Sequence, residues 1–179
     1  MKVTVFGGSA PKPNSTAYQE AYALGKLLAE RGHTAMTGGY IGTMEAVSRG
    51  AADSGGHVIG VTCNEIENWR DVRPNQWVRE EWRFETLKQR LNALIEQCDA
   101  AFALPGGPGT LTEIALMWNQ LIIEAIHPRP LILIGKGWQT LFNQAFYTEL
   151  GDYIPAHQRE HLLFAPDVQS AVEILEYSK

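Results

Sequence analysis

Ten consecutive residues carry the strongest chemical signal of the chain: Leu104-Pro105-Gly106-Gly107-Pro108-Gly109-Thr110-Leu111-Thr112-Glu113. An apolar, strand-like run from Ala100 to Leu104 precedes them, and a helix-like pattern from Ile114 to Ile122 follows. At such a strand-to-helix turn, Gly106, Gly107 and Gly109 let a ligand approach the backbone and meet its N–H groups. The positive end of the helix dipole lies at the same place, where an anion binds, most often a phosphate. Thr110 adds a hydroxyl, and Glu113 adds a carboxylate about one helical turn further in. A phosphate cradle beside an acid points to a nucleotide site with chemistry. A second reading competes with it. Thr110-Leu111-Thr112-Glu113 also fits the S/T-x-x-E capping box, in which the glutamate only satisfies a backbone donor.

Two further glycine turns follow predicted strands: Gly7-Gly8-Ser9 and Gly38-Gly39-Tyr40-Ile41-Gly42. In an open parallel sheet such carboxyl-end turns line the ligand crevice. Neither is a G-x-G-x-x-G fingerprint, and no Walker Gly-Lys-Ser/Thr occurs, so a dinucleotide cofactor or ATP hydrolysis has little support. The five histidines, His33, His57, His127, His157 and His161, form no metal-like group; His157 and His161 have helical spacing but no partner motif. No Gly-x-Ser-x-Gly elbow is present. Chemistry without a resident metal or cofactor is the expectation.

The elements that must position these turns alternate between strand and helix, the pattern of a parallel sheet wrapped by helices. Strands are expected at Lys2–Phe6, Thr34–Thr37, His57–Val61, Ala100–Leu104 and Pro130–Ile134, with a short one at His161–Phe164. Helices are expected at Thr16–Arg31, with Thr16 and Gln19 as a capping box, and at Met44–Ser54, Phe84–Gln97, Trp138–Leu150 and Asp167–Tyr177. Cys63 to Arg83 reads as irregular, polar and rich in tryptophan (Trp69, Trp77, Trp82). It is long for a connection, so it is either a lid or substrate loop, or a surface loop pinned by aromatic packing. Arg79, Arg83 and Lys88 read as surface charges.

Bulk properties narrow the class. The chain has 179 residues, 45% hydrophobic and 20% charged, the composition of a globular protein and most simply one domain over residues 1–179. A net charge of −5 argues against a broad nucleic-acid or membrane surface, while leaving room for a local anion pocket. Two cysteines, Cys63 and Cys98, without metal-type spacing suit a reducing cytoplasm. No apolar run is long enough to span a bilayer, and the N-terminus enters a strand pattern without a signal-peptide core. A cytoplasmic location follows as the expectation.

The motif Pro-Gly-Gly-x-Gly-Thr-x-x-Glu, here Pro105 to Glu113, resembles the signature of the LONELY GUY (LOG) family, formerly mislabelled as lysine decarboxylases. Val3-Thr4-Val5-Phe6-Gly7-Gly8-Ser9 looks like that family's first strand and Gly-Ser turn. Thr37-Gly38-Gly39-Tyr40-Ile41-Gly42-Thr43-Met44 looks like its second glycine turn, usually Gly-Gly-Gly-x-x-Gly-x-Met. Arg90 falls where the family has its catalytic arginine, although the usual Met-His-x-Arg-Lys segment here reads Leu87-Lys88-Gln89-Arg90-Leu91. The spacing of Trp118 and Gln120 after Glu113 also departs from the family.

The resemblance implies an α/β fold: a three-layer, Rossmann-like open parallel sheet with helices on both faces. It implies a phosphoribohydrolase that cleaves cytokinin riboside 5′-monophosphates, and often AMP, to free base and ribose 5-phosphate. It casts Gly106, Gly107, Gly109 and Thr110 as holders of the 5′-phosphate, with Gly8, Ser9, Gly39 and Gly42 bordering the nucleotide. Glu113 would support the ribose and its developing charge. Arg90 would assist the leaving group or stabilise the reacting complex; otherwise it is a solvated helix charge paired with Glu96 or Asp99. A homodimer or larger even assembly is also implied, with Met117–Ile126 packing on a partner or simply on its own sheet. Other proteins of this fold carry the molybdenum cofactor, whose terminal phosphate suits the same cradle. A non-catalytic carrier is therefore the alternative, and a nucleotide sensor a third possibility.

Overall fold

Short runs such as Leu131-Ile-Leu-Ile134 have no polar face, so they need cover on both sides. The computed structural model, which describes residues 1–177, provides it with helices above and below one sheet. Its strands are β1 (Lys2–Phe6), β2 (Thr34–Thr37), β3 (Val58–Cys63), β4 (Glu80–Phe84), β5 (Ala100–Ala103), β6 (Leu131–Ile134) and β7 (Leu162–Ala165). They lie in the order β4-β3-β2-β1-β5-β6-β7, and every pairing is parallel. The helices are α1 (Thr16–Glu30), α2 (Thr43–Asp53), α3 (Asn64–Trp69), α4 (Leu87–Glu96), α5 (Pro108–Ile122), α6 (Lys136–Gln139), α7 (Tyr147–Leu150), α8 (Ala156–Arg159) and α9 (Val168–Tyr177). The result is the expected three-layer, Rossmann-like α/β fold.

Side-chain alternation along each strand feeds two cores. Val3, Val5, Phe102, Ile132 and Ile134 pack with Leu24 and Leu28 of α1, Val47 of α2, and Val172 and Leu175 of α9. Phe6, Ala101, Ala103, Leu131 and Leu133 face the other way, toward Leu94 of α4 and Ile114 and Met117 of α5. Thr4 shares that second face, and its buried hydroxyl donates to the Leu94 carbonyl at 2.7 Å, so that hydroxyl is not stranded there.

Strand order fixes where a ligand can enter. From β1 the chain steps outward through β2, β3 and β4, then returns across the sheet to β5 and continues the other way. The direction reverses between β1 and β5, and the crevice beyond their carboxyl ends is where such sheets bind ligands. The Gly7–Ser9 turn and the Pro105–Thr110 loop leave the sheet at that point.

Several boundaries depart from expectation. The irregular segment after Cys63 contains α3 and then β4, which pairs with β3 over Ile59↔Glu80 to Cys63↔Phe84. As an edge strand, Glu80-Glu-Trp-Arg-Phe84 has only a short apolar alternation, Trp82 and Phe84 packed on the core with Glu80, Glu81 and Arg83 exposed, too little to reveal it. The next helix therefore starts at Leu87, not Phe84, and Thr86 with Gln89 forms a full capping box at its head. At α1 the cap is Ser15, whose Oγ accepts from Tyr18 N–H at 3.2 Å; Gln19 instead donates to the Pro13 carbonyl, so the Thr16/Gln19 box does not form. The expected Trp138–Leu150 helix is α6, a π-helical stretch at Thr140–Phe146, and α7. No helix among the described residues is long and apolar enough to cross a membrane.

Candidate active site

The three glycine turns meet at the switch point. Gly8 N–H donates to the Pro105 carbonyl at 3.3 Å, while the Gly8 carbonyl accepts from Thr43 N–H at 3.0 Å and from Thr43 Oγ1 at 2.9 Å. The first turn is thus tied to both others. Between them opens a cavity of about 470 Å³, within the range of small-ligand sites. Gly8, Ser9, Arg90, Gly107, Gly109, Thr110 and Glu113 all line it.

Gly39, Gly42 and Gly106 do not line it, and each has a packing reason to be glycine. Gly42 caps α2 at φ 73°, and a Cβ there would sit 2.6 Å from the Gly8 carbonyl oxygen. Gly39, at φ 78°, is pressed against Thr62 and Gly60, with its carbonyl held by the Asn75 side chain at 2.9 Å. At Gly106 a Cβ would run into Thr110 and approach Gly8 N at 3.0 Å. These three shape the cradle from behind. A Cβ on Gly107 or Gly109 would instead meet no protein atom within 4 Å, so these two glycines leave open ground at the loop.

Helix α5 begins at Pro108 with Gly107 as its cap, and no side chain satisfies its first N–H groups. They remain available to an anion, reinforced by the dipole of a 15-residue helix. This start also removes the capping-box reading. Thr110 and Glu113 both lie inside the helix, and Glu113 turns its side chain into the cavity. The glutamate is 9% exposed, and burial lifts its pKa to about 7, against the pull of the Arg90 charge.

Arg90, on α4, is 5% exposed and is paired with neither Glu96 nor Asp99. Its Nε donates to the Val61 carbonyl at 2.8 Å and its Nη2 to the Gly38 carbonyl at 3.3 Å. The guanidinium lies 5.7 Å from the centre of the Tyr40 ring. Gly38 makes this possible, because a Cβ there would collide with the Arg90 guanidinium. Tyr40 is itself fixed, its hydroxyl accepting from Cys63 N–H at 2.9 Å and donating to the Cys63 carbonyl at 3.1 Å. A buried cation and a buried carboxyl of raised pKa thus share one cavity beside an anion cradle. That set can hold a phosphate and stabilise positive charge that develops nearby.

The opposite wall was legible only as a region. Ile66, Trp69 and Arg70 come from α3 and the residue after it, and Leu87 and Leu91 from α4. Trp69 drew notice as part of a tryptophan-rich loop, whereas Arg70 had only its place directly after Trp69 to mark it. Arg83 is an exposed charge, as expected, and it also joins Arg73 on the buried Glu67 of α3, at 2.8 and 3.0 Å. Burial would raise the Glu67 pKa, but these two guanidinium groups hold it below the ordinary value. The clamp fixes α3 against β4 and so sets the position of this wall. The described residues contain no group of three or more His, Cys, Asp or Glu able to hold a metal.

Comparisons with known proteins agree with this geometry. Residues 1–124 match the SLOG cluster4 family model. A probable cytokinin riboside 5′-monophosphate phosphoribohydrolase of Oryza sativa subsp. japonica, LOGL9, is 32% identical over 98% of this chain and 77% of its own length. The LOG enzyme of the same plant, a cytokinin riboside 5′-monophosphate phosphoribohydrolase, is 38% identical over 98% of this chain and 72% of its own length. Among solved structures, the molybdenum cofactor binding protein of Rippkaea orientalis superposes with a TM-score of 0.76 at 25% identity, covering 99% of this chain and 96% of that one. The glycine cradle, the buried Arg90 and Glu113, and these near-full-length likenesses lead to one assignment: the chain is a LOG family protein, matching the SLOG cluster4 model.

Proposed function

We propose that the chain is a nucleoside 5′-monophosphate phosphoribohydrolase, hydrolysing the N-glycosidic bond of AMP-like or cytokinin riboside 5′-monophosphates. The observation that carries this reading is the pairing of Glu113 and Arg90, both buried, in the cavity that the uncapped α5 N-terminus opens onto. The 5′-phosphate binds at Gly107, Gly109 and Thr110, where the free N–H groups and the helix dipole favour an anion. Anchoring there, remote from the reacting carbon, fixes the ribose in orientation. As the C1′–N bond breaks, its electron pair leaves with the base and positive charge develops on the ribose ring. The Glu113 carboxylate stabilises that charge and accepts from ribose hydroxyls. Water supplies its oxygen to C1′ and its proton to the departing base, with Arg90 stabilising the base as negative charge builds on it. Free base and ribose 5-phosphate result, with no metal in any step.

A carrier of the molybdenum cofactor is the second reading, and the likeness to the Rippkaea protein favours it. Against it stand the two hydrolase-named relatives at higher identity, and a buried acid–arginine pair that carriage does not require.

The deciding experiment incubates purified protein with AMP, GMP, CMP and isopentenyladenosine 5′-monophosphate and quantifies free base and ribose 5-phosphate. Release is expected with at least one purine nucleotide and should be lost in Glu113→Gln and Arg90→Ala. A folded protein that binds these nucleotides, releases no base and copurifies with a pterin would replace the hydrolase with the carrier.

A further inference from the structure

We infer that Arg70, stacked on Trp69, is a second phosphate-binding residue, closing over the 5′-phosphate from the wall opposite the glycine loop. The inference rests on the cavity being a nucleotide site but not on its being catalytic.

Four observations lead to it. First, among the described residues two cations line the cavity, Arg90 and Arg70. Arg90 already gives donors to two backbone carbonyls and covers the Tyr40 ring. Second, Arg70 has donors to spare. Its Nε is buried with no partner among the described residues, and its Nη1 reaches Ser9 Oγ only at 3.5 Å, the limit of a hydrogen bond. The residue as a whole is half-buried, so the cost falls on that one N–H, which stays unsatisfied unless an acceptor arrives. Third, the group it leans toward is Ser9, on the turn tied to Pro105 through Gly8 and so beside the phosphate loop. Fourth, Arg70 is held by its neighbours and not by an acid. Its guanidinium lies 5.5 Å from the centre of the Trp69 ring, and that ring, 78% exposed, lines the cavity itself.

The chemistry this arrangement selects is a dianionic phosphate monoester. Helix α5 offers N–H groups from one side, and the planar fork of Arg70 offers two parallel donors from the other, geometry that suits two phosphate oxygens. The Glu67 clamp with Arg73 and Arg83 keeps α3 in place, so Arg70 needs only a small side-chain swing about the Trp69 face. Among the described residues, the other charged groups in the lining are Glu113 of α5 and Arg90 of α4.

The test is calorimetric titration of ribose 5-phosphate into the intact protein, the Arg70→Ala variant and the Arg70→Lys variant, and of AMP into the same three proteins carrying Glu113→Gln, so that AMP is bound and not consumed. Thermal unfolding is run on each, because the only side-chain contacts given for Arg70, the Trp69 stack and the 3.5 Å bond to Ser9, are weak and should leave folding little changed. Loss of a charge-assisted bidentate contact should weaken both ligands by about ten- to a hundredfold in Arg70→Ala. The factor should be the same for both, since they share only the ribose and phosphate. Arg70→Lys should recover part of the loss, keeping charge without the fork. Weakening of AMP alone would place Arg70 on the base and overturn the inference, as would unchanged affinity for both. An intact protein that binds ribose 5-phosphate yet releases no base would refute the hydrolase reading and leave these affinities as valid a test of Arg70.

Discussion

Glu113 is the residue whose environment has the largest measurable consequence. Its ordinary pKa of 4.5 is lifted to about 7 by burial, with Arg90 opposing the rise. Between those two values the folded protein holds a proton that the unfolded chain has already lost. Stability is therefore greatest on the acid side of the window, declines as pH rises through it, and levels off above about 7; the whole effect amounts to at most about 3 kcal/mol. Glu113→Gln has no such charge to bury. The variant should match the natural protein near pH 4.5 and exceed it at pH 8, as read from urea midpoints at both pH values. A difference that does not change with pH would show that burial of the charge is not the cause. Catalysis should run the opposite way, because the carboxylate is the form that stabilises positive charge. The kcat/KM for a nucleoside monophosphate should rise with pH through about 7, and a profile flat from 5.5 to 8.5 would exclude Glu113 from that role. The conflict has a physical meaning: the ionised acid that chemistry uses is the form the fold stabilises least.

At the scale of elements, the glycine turns divide into those that shape the cradle and those that face its ligand. Gly109→Ala places a methyl in open space at the second position of α5 and replaces a poor helix former with the best one, so thermal stability should hold or rise by up to about 1 kcal/mol. Ribose 5-phosphate affinity should nevertheless fall, because the methyl occupies ground the phosphate needs. Gly42→Ala should do the reverse and destabilise by about 1–3 kcal/mol, through a positive φ and a collision with the Gly8–Ser9 backbone. Thermal melts and titrations of the pair separate the two classes; equal losses of stability would erase the distinction. Sequence patterns cast Gly106 with Gly107 and Gly109 as phosphate holders, and Gly39 and Gly42 with Gly8 as neighbours of the nucleotide, since a motif records residue type and not which side of the backbone is open. They located the strand ends at β1, β2, β5 and β6 within a residue or so because those strands are buried on both faces. They missed β4 because its pairing lies in backbone hydrogen bonds and only Trp82 and Phe84 pack on the core, while Glu80, Glu81 and Arg83 face water. They also read Glu113 as a capping candidate as readily as an acid. Only the helix start at Pro108, set by the loop geometry, decides between these.

At the scale of the whole molecule, a net charge of −5 surrounds a cavity whose lining carries two guanidinium groups and one carboxyl that burial keeps largely neutral below pH 7. Anionic ligands must therefore be captured by local fields that overcome a repulsive average, and added salt will screen both. The outer face of α5 bears on assembly. Met117, Trp118 and Leu121, within the stretch expected either to meet a partner or to cover its own sheet, pack inside this chain. Leu111, Ala115 and Ile122 of the same helix, and Ile123 just after it, remain at least partly exposed, and Ala115, Trp118, Asn119 and Ile122 border a shallow groove with Phe146, Ile154 and Gln158. We propose that this outer face joins two copies into a homodimer, the base unit of any larger even assembly. Light scattering on a sizing column should give twice the 19.9 kDa chain mass. Ala115→Arg, which adds a long charge at an exposed small residue without touching the chain's own core, should return the protein to monomer with its melting curve little changed. A monomeric natural protein at tens of micromolar would end the proposal, and a dimer indifferent to Ala115→Arg would move the interface off α5. The same variant then bears on the site, because α5 supplies both Glu113 and the anion-binding N-terminus. If pairing steadies that helix, the monomeric variant should bind ribose 5-phosphate more weakly, although residue 115 itself lies outside the cavity lining.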